Sequence, residues 1–226
     1  MIPWTLIDTA KVPGGGDELR LKQRGSEFSI MLGTNELMNS RLSGSEEALA
    51  HLSIDRIREH PQPSMLIGGL GMGFTLRAAL AELPQDAKVV VAELVPAVIQ
   101  WAQGPMAEVF KGCLDDPRVT VVAADVGELI RRKPAAYDAI LLDVDNGPEA
   151  LTREENDRIY DMRGLAAAKA ALRPGGVLSV WSSGPDSQFT RRMQSAGFAV
   201  DEVPTRASTK RRGAKHMIWL GVKKAG

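Results

Sequence analysis

From residue 65 onward the chain alternates two kinds of apolar pattern. Runs that are apolar at nearly every position, MLIG (65–68), KVVVAEL (88–94), RVTVVAAD (118–125), YDAILLDVD (137–145) and GVLSVWSS (176–183), are separated by stretches with apolar residues three or four apart. The first kind reads as strands buried on both faces. The second reads as helices, at 73–83, 95–103, 126–132, 153–172 and 186–196. Strand and helix in alternation predict an α/β fold, a Rossmann-like parallel sheet covered by helices on both faces. The last pair breaks the rhythm. FAVDEV and MIWLGVKK are joined by PTRASTKRRGAKH, too little chain for a crossover helix, so they predict an antiparallel hairpin at the sheet edge. With it the sheet has seven strands and an antiparallel last strand.

The region before residue 65 differs. Residues 18–41 alternate short apolar stretches with the turn signals RGSE and GTNE, which predicts a small antiparallel meander. GSEEALAHLSIDRIREH then reads as a helix with Ser45 as N-cap and Leu49, Leu52 and Ile57 on one face, stopping before Pro61 and Pro63. The chain divides on this reading into an N-terminal β extension over 1–44 and an α/β domain over 45–226.

Composition narrows the partners. The 28 basic residues equal the 28 acidic ones, so bulk charge gives no reason to expect nucleic acid or an acidic membrane. The KRRGAK segment at 210–215 reads as a solvated hairpin tip. Cys113 is the single cysteine, which excludes an intrachain disulfide and a cysteine-rich zinc site. His51, His60 and His216 lack ligand spacing, and no metal is expected. No apolar run approaches a membrane span and the first residues lack a leader pattern, so a cytoplasmic protein is expected.

Candidate chemistry gathers at the strand ends. In MLIGGLGMGFTLRAAL a buried strand enters a glycine turn and leaves it as a helix after Gly73. The glycines Gly69, Gly71 and Gly73 form G-x-G-x-G. A dinucleotide fingerprint would need glycine where Phe74 stands, and no Lys-Ser/Thr pair follows as in a P-loop. In an open parallel sheet ligands sit beyond the carboxyl ends of the strands. Here those ends are acidic: Glu93, then Asp125, then Asp143 with Asp145. Glu93 follows the turn by about 20 residues, the interval at which an acid accepts from ribose hydroxyls. Asp125 would stand beside it, toward an adenine amino group. Trp101 and Trp181 read as core or rim residues able to stack on a ligand.

This combination resembles the class I S-adenosylmethionine-dependent transferase fold over residues 65–222. The resemblance implies that Gly69, Gly71 and Gly73 hold the methionine portion of the donor, Glu93 the ribose and Asp125 the adenine. A narrower likeness lies in GGLGMGFTLR, AELVPAVI, DDPRV and YDAILLDVDNGP, which look like spermidine synthases, the polyamine aminopropyltransferases. SEEALAHL resembles the helix that follows their N-terminal β domain. The likeness implies aminopropyl transfer to a small amine, with Asp143 as the base, Asp145 and Glu47 as substrate-binding acids, and S-adenosylmethionine or its decarboxylated form as co-substrate. It also implies dimerisation through the β extension. The chain departs from the family in three places. Its acidic segment before Gly147-Pro148 is short, Met72 replaces an acid in the glycine turn, and Ser45, Glu46 and Glu47 stand where the family has Tyr-His-Glu. Met72 removes a charge that attracts the ammonium of the decarboxylated donor, so intact S-adenosylmethionine is expected to bind at least as well. A small-molecule methyltransferase and a non-catalytic nucleoside-binding protein are the alternative readings.

Overall fold

The computed structural model describes residues 2–14, 18–144, 158–208 and 213–224. Asp145, the first part of the helix expected from 153, and the first half of the KRRGAK tip lie outside the described residues.

Two sheets are present. The first is a four-stranded antiparallel meander of β1 (Thr5–Lys11), β2 (Glu18–Arg24), β3 (Glu27–Leu32) and β4 (Asn35–Asn39). β1 extends the predicted meander by one strand. Nearly all its residues are exposed, so it carries no inside–outside alternation by which a strand is recognised. Then come α1 (Gly44–Ile57), β5 (Ser64–Gly68), α2 (Phe74–Glu82), β6 (Lys88–Glu93), α3 (Pro96–Gln103), the short α4 (Ala107–Phe110) and β7 (Val119–Ala123). The chain continues through α5 (Val126–Arg132), β8 (Tyr137–Leu142), α6 (Met162–Ala171), β9 (Leu172–Ser182), α7 (Ser187–Ser195), β10 (Phe198–Arg206) and β11 (Lys215–Lys223).

The second sheet has seven strands in the order β10-β11-β9-β8-β5-β6-β7. Strands β5 to β9 pair in parallel, and β11 runs antiparallel to both β9 and β10. The predicted hairpin is therefore present, with β11 inserted beside β9 and β10 forming the edge. Because the strands are apolar at successive positions, each side chain finds a core on its own face. Met65, Ile67, Val89, Val91, Ala139 and Leu141 pack with α1, α2, α3 and the inner residues of the meander. Leu66, Ala92, Ile140, Leu142, Leu178 and Val180 face the other way, onto α5, α6 and α7.

Two local details depart from the sequence reading. Ser45 lies inside α1 rather than at its cap, which is Ser43, and this frees the Ser45 hydroxyl for another partner. β9 begins at Leu172 and not at 176, with a register shift against β8 between Tyr137 and Ala139. The shift places Arg173 against Asp138, a buried carboxylate that also accepts from His60 and from the Ser64 backbone N–H. This cluster ties the amino ends of β5, β8 and β9 together, remote from the carboxyl ends. Among the described residues, no helix is long and apolar enough to cross a membrane.

Candidate active site

The sheet order reverses at β5. The chain passes from β5 to β6 and β7 on one side and returns to β8 on the other, which opens a crevice at the carboxyl ends of β5 and β8. The glycine turn lies in that crevice. Gly69 has φ +89° and a Cβ there would stand 2.4 Å from the Asp143 carbonyl oxygen, so the turn can lie against β8 only with glycine. At Gly73, φ is +73° and a Cβ would meet the Phe110 ring at 2.5 Å. Close packing of neighbouring chain, and not ligand approach alone, requires these two glycines.

Glu93 closes the turn from behind. Its carboxylate accepts from the Leu70 N–H at 2.9 Å and the Val95 N–H at 2.8 Å, and the residue is buried. Burial raises its pKa, and the backbone donors oppose that rise.

In front of the turn is a recessed pocket of about 100 Å³. Its walls are mainly apolar, from Leu37 and Met38 on β4, Leu70, Met72 and Phe74 around the turn, and Trp181 at the end of β9. Two acids interrupt them: Asp143, just beyond β8, and Glu46, in the first turn of α1. Asp143 is half-buried and lines this pocket. Its carboxylate accepts from the Thr75 hydroxyl at 2.8 Å, and the same hydroxyl lies 3.4 Å from the Glu46 carbonyl oxygen. Burial, reinforced by the charge of Glu46, pushes the Asp143 carboxyl up to about 7. Glu46 is raised as well, chiefly by burial. Its carboxylate accepts from the Ser45 hydroxyl at 2.7 Å. Ser45 in turn lies 2.9 Å from His216 Nδ1, and the His216 ring meets Trp181 edge-on at 4.7 Å between centroids. The indole N–H of Trp181 is buried and has no acceptor among the described residues.

Two carboxyl groups, both biased toward the neutral form in an apolar pocket, form a receptor for a cation. An ammonium entering between them restores the charge that burial disfavours, and a carboxyl near neutrality can exchange protons with it.

The structure thus brings Asp143 and the glycine turn to one pocket. Of the two adjacent glutamates on α1 it is Glu46, and not the expected Glu47, that lines this pocket. The hundred-degree step between neighbouring helical residues separates them, and sequence spacing alone could not say which faced inward. Met72 lines the pocket without charge. Asp125 stands at the end of β7, where its side chain caps α5 by accepting from the Glu128 N–H at 3.0 Å. Trp101 is buried in α3 and donates to Asp8 on β1 at 2.7 Å. Cys113 is buried, with its thiol pushed up to about 11 by that burial, so it lacks nucleophile character. No group of three metal-ligating side chains occurs among the described residues. His216 reaches α1 only through the insertion of β11 beside β9, a long-range contact that local sequence does not signal.

Known proteins share this fold. The spermidine synthase from Thermotoga maritima superposes with a TM-score of 0.75 at 20% identity, over 98% of this chain and 73% of its own. A spermidine synthase crystallised with the transition state analogue AdoDATO superposes equally well, at 21% identity. The polyamine aminopropyltransferase of Mycobacterium tuberculosis H37Rv is 34% identical over 155 residues, which is 63% of this chain and 29% of that protein. Polyamine aminopropyltransferase 2 of Pseudomonas aeruginosa is 29% identical over 144 residues, 60% of this chain and 39% of its own. The matched segments span about a third of those two relatives. The spermine/spermidine synthase domain model matches residues 43–193, from the start of α1 through the glycine turn and Asp143 into α7, and the chain belongs to that family.

Proposed function

We propose that the protein transfers an aminopropyl group from decarboxylated S-adenosylmethionine to a small amine. The observation that carries this reading is the Asp143 carboxyl, held near neutrality beside Glu46 in an apolar pocket against the glycine turn. Family membership supports the reaction class.

On this reading the donor lies along the turn, with its sulfonium arm beside Gly69, Gly71 and Gly73. Glu93 faces the ribose. Its two oxygens accept from the Leu70 and Val95 N–H groups, which orient the carboxylate. Asp125 stands toward the adenine amino group, with one oxygen already accepting from α5. The acceptor enters as an ammonium and is held by Asp143 and Glu46. Asp143 takes one proton, which uncovers the nitrogen lone pair. The nitrogen attacks the donor carbon beside sulfur, the new C–N bond forms as the C–S bond breaks, and sulfur leaves with the bonding pair as the neutral thioether 5′-methylthioadenosine. The proton on Asp143 passes to solvent. Water is disfavoured by the apolar walls, which limits hydrolysis of the donor.

Met72 taken alone favours binding of intact S-adenosylmethionine at least as tight as that of the decarboxylated donor. The negative potential of Glu46 and Asp143, which hold the acceptor ammonium, supports the opposite preference, because it repels the carboxylate that only intact S-adenosylmethionine carries.

Asp143→Asn tests the assignment. It keeps the size of the side chain and an oxygen for Thr75 but removes the base. Binding of 5′-methylthioadenosine is expected to stay within a few-fold, while the transfer rate falls by about 10²–10⁴. Undiminished transfer would remove Asp143 as the base.

A further inference from the structure

We propose that His216 is a positioning residue of this site: acting through Ser45, it fixes the Glu46 carboxylate toward the pocket, so that Glu46 and Asp143 together seat one ammonium group. The identity of the ligand rests on the amine-transfer reading above; the relay itself rests on geometry.

Counting protons fixes the direction of the relay. The Ser45 hydroxyl has one proton and donates it to Glu46 at 2.7 Å. An ionised Glu46 only accepts. With Glu46 ionised, the 2.9 Å contact between Ser45 and His216 Nδ1 runs from the ring, with Nδ1–H donating to the serine oxygen. This sets the neutral tautomer of His216 and leaves Nε2 without the proton. Each member is held from a second side. Ser45 is fully buried in the first turn of α1, the His216 ring is pinned edge-on by Trp181, and the Glu46 backbone carbonyl lies beside the Thr75 hydroxyl that serves Asp143. Burial lowers the His216 pKa, which favours the neutral ring, and burial raises that of Glu46 while the serine donor opposes the rise.

The relay also joins parts of the chain far apart in sequence. Glu46 and Ser45 belong to α1, Asp143 follows β8, and His216 lies on β11. A free glutamate side chain samples several rotamers and loses that freedom on binding a cation. Glu46 is already ordered, because β11 holds its partner Ser45 in place through His216.

The test uses the full chain saturated with 5′-methylthioadenosine, and 1,4-diaminobutane as the probe. His216→Phe keeps a ring against Trp181 but removes the donor; His216→Asn keeps a donor at the same number of bonds from the backbone as Nδ1. Expected are a tenfold or greater rise in the Kd and KM for the diamine in His216→Phe with kcat within threefold, and recovery to within threefold in His216→Asn. Glu46→Gln is expected to weaken the diamine to the same degree, with no further loss on adding His216→Phe. Diamine affinity unchanged in His216→Phe, or losses that simply add in the double variant, would overturn the relay. If His216→Phe does not fold, Ser45→Ala breaks the same relay from the helix side and carries the same expectations. A second readout does not depend on the amine. Nitrogen NMR of the wild-type protein at pH 9, well above the usual carboxylate range, should show His216 protonated on Nδ1; protonation mainly on Nε2 overturns the proposal. Should the wild-type protein bind no diamine, the amine-transfer reading fails and the tautomer alone decides the relay.

Discussion

Asp143 stands on an ionisation balance that a rate measurement reads directly. Its carboxyl is raised to about 7 first by burial and then by the charge of Glu46, with Thr75 pulling the other way. A base must be ionised to act, and a carboxyl raised in this way is ionised only above its pKa. The kcat/KM for transfer should therefore rise with pH along a limb centred near 7, well above the limb of an exposed aspartate. Glu46→Gln removes one of the two causes, so the limb should move down by about half a unit or more while the remaining burial keeps it above 4. A profile flat from pH 5 to 8, or a limb unmoved in Glu46→Gln, would contradict this balance. The same residue shows what a linear pattern carries. Asp143 was legible because it ends a fully apolar run, where a carboxylate has no place unless the strand end is used. Glu46 was not legible as a partner. In SEEA the two glutamates are equivalent as first-turn acids, and only the packing of α1 over β8 and β9 selects one of them.

At the scale of elements, the glycine turn is held as tightly by its surroundings as by its own conformation. Gly69 combines a left-handed backbone with contact to the Asp143 carbonyl. Gly69→Ala should thus lower stability by about 1–3 kcal/mol, the cost of a non-glycine residue forced into such a region, and displace the chain at Asp143. Calorimetric unfolding checks the first consequence and transfer rate the second; a variant with unchanged Tm would show that β8 does not press on the turn. The strands β5 to β9 and their helices were legible from period alone, because burial on both faces makes a strand uniformly apolar and a helix on its surface half so. The start of β9 was misread. Its first residues, Leu172 to Gly176, continue from α6 without a break, and their pairing depends on a register shift that lets Arg173 reach Asp138. Nothing in the local pattern marks an irregular strand entry of this kind.

At the scale of the whole molecule, the pocket is closed by a sheet that belongs to no part of the parallel core. β4 supplies Leu37 and Met38 to the pocket, and Met38 Sδ stands 3.1 Å from where a Gly71 Cβ would be. The first sheet is fastened to the second at a distance from the pocket, through the hydrogen bond from Trp101 on α3 to Asp8 on β1. Trp101→Phe should loosen this fastening, with amide exchange in β1 accelerated several-fold and exchange in β5 and β8 unchanged. Equal protection in β1 would mean that other contacts hold the meander in place. That meander was only partly legible, since its outermost strand is exposed and carries no burial pattern, and its role as a wall of the pocket depends on long-range contact. Mass detection of the acceptor reads the proposed transfer without an intermediary. With decarboxylated S-adenosylmethionine and 1,4-diaminobutane, a product heavier by one aminopropyl group is expected, released with an equal amount of 5′-methylthioadenosine, and no product with intact S-adenosylmethionine. A methylated diamine formed from the intact donor, or an unchanged diamine with both donors, would contradict it.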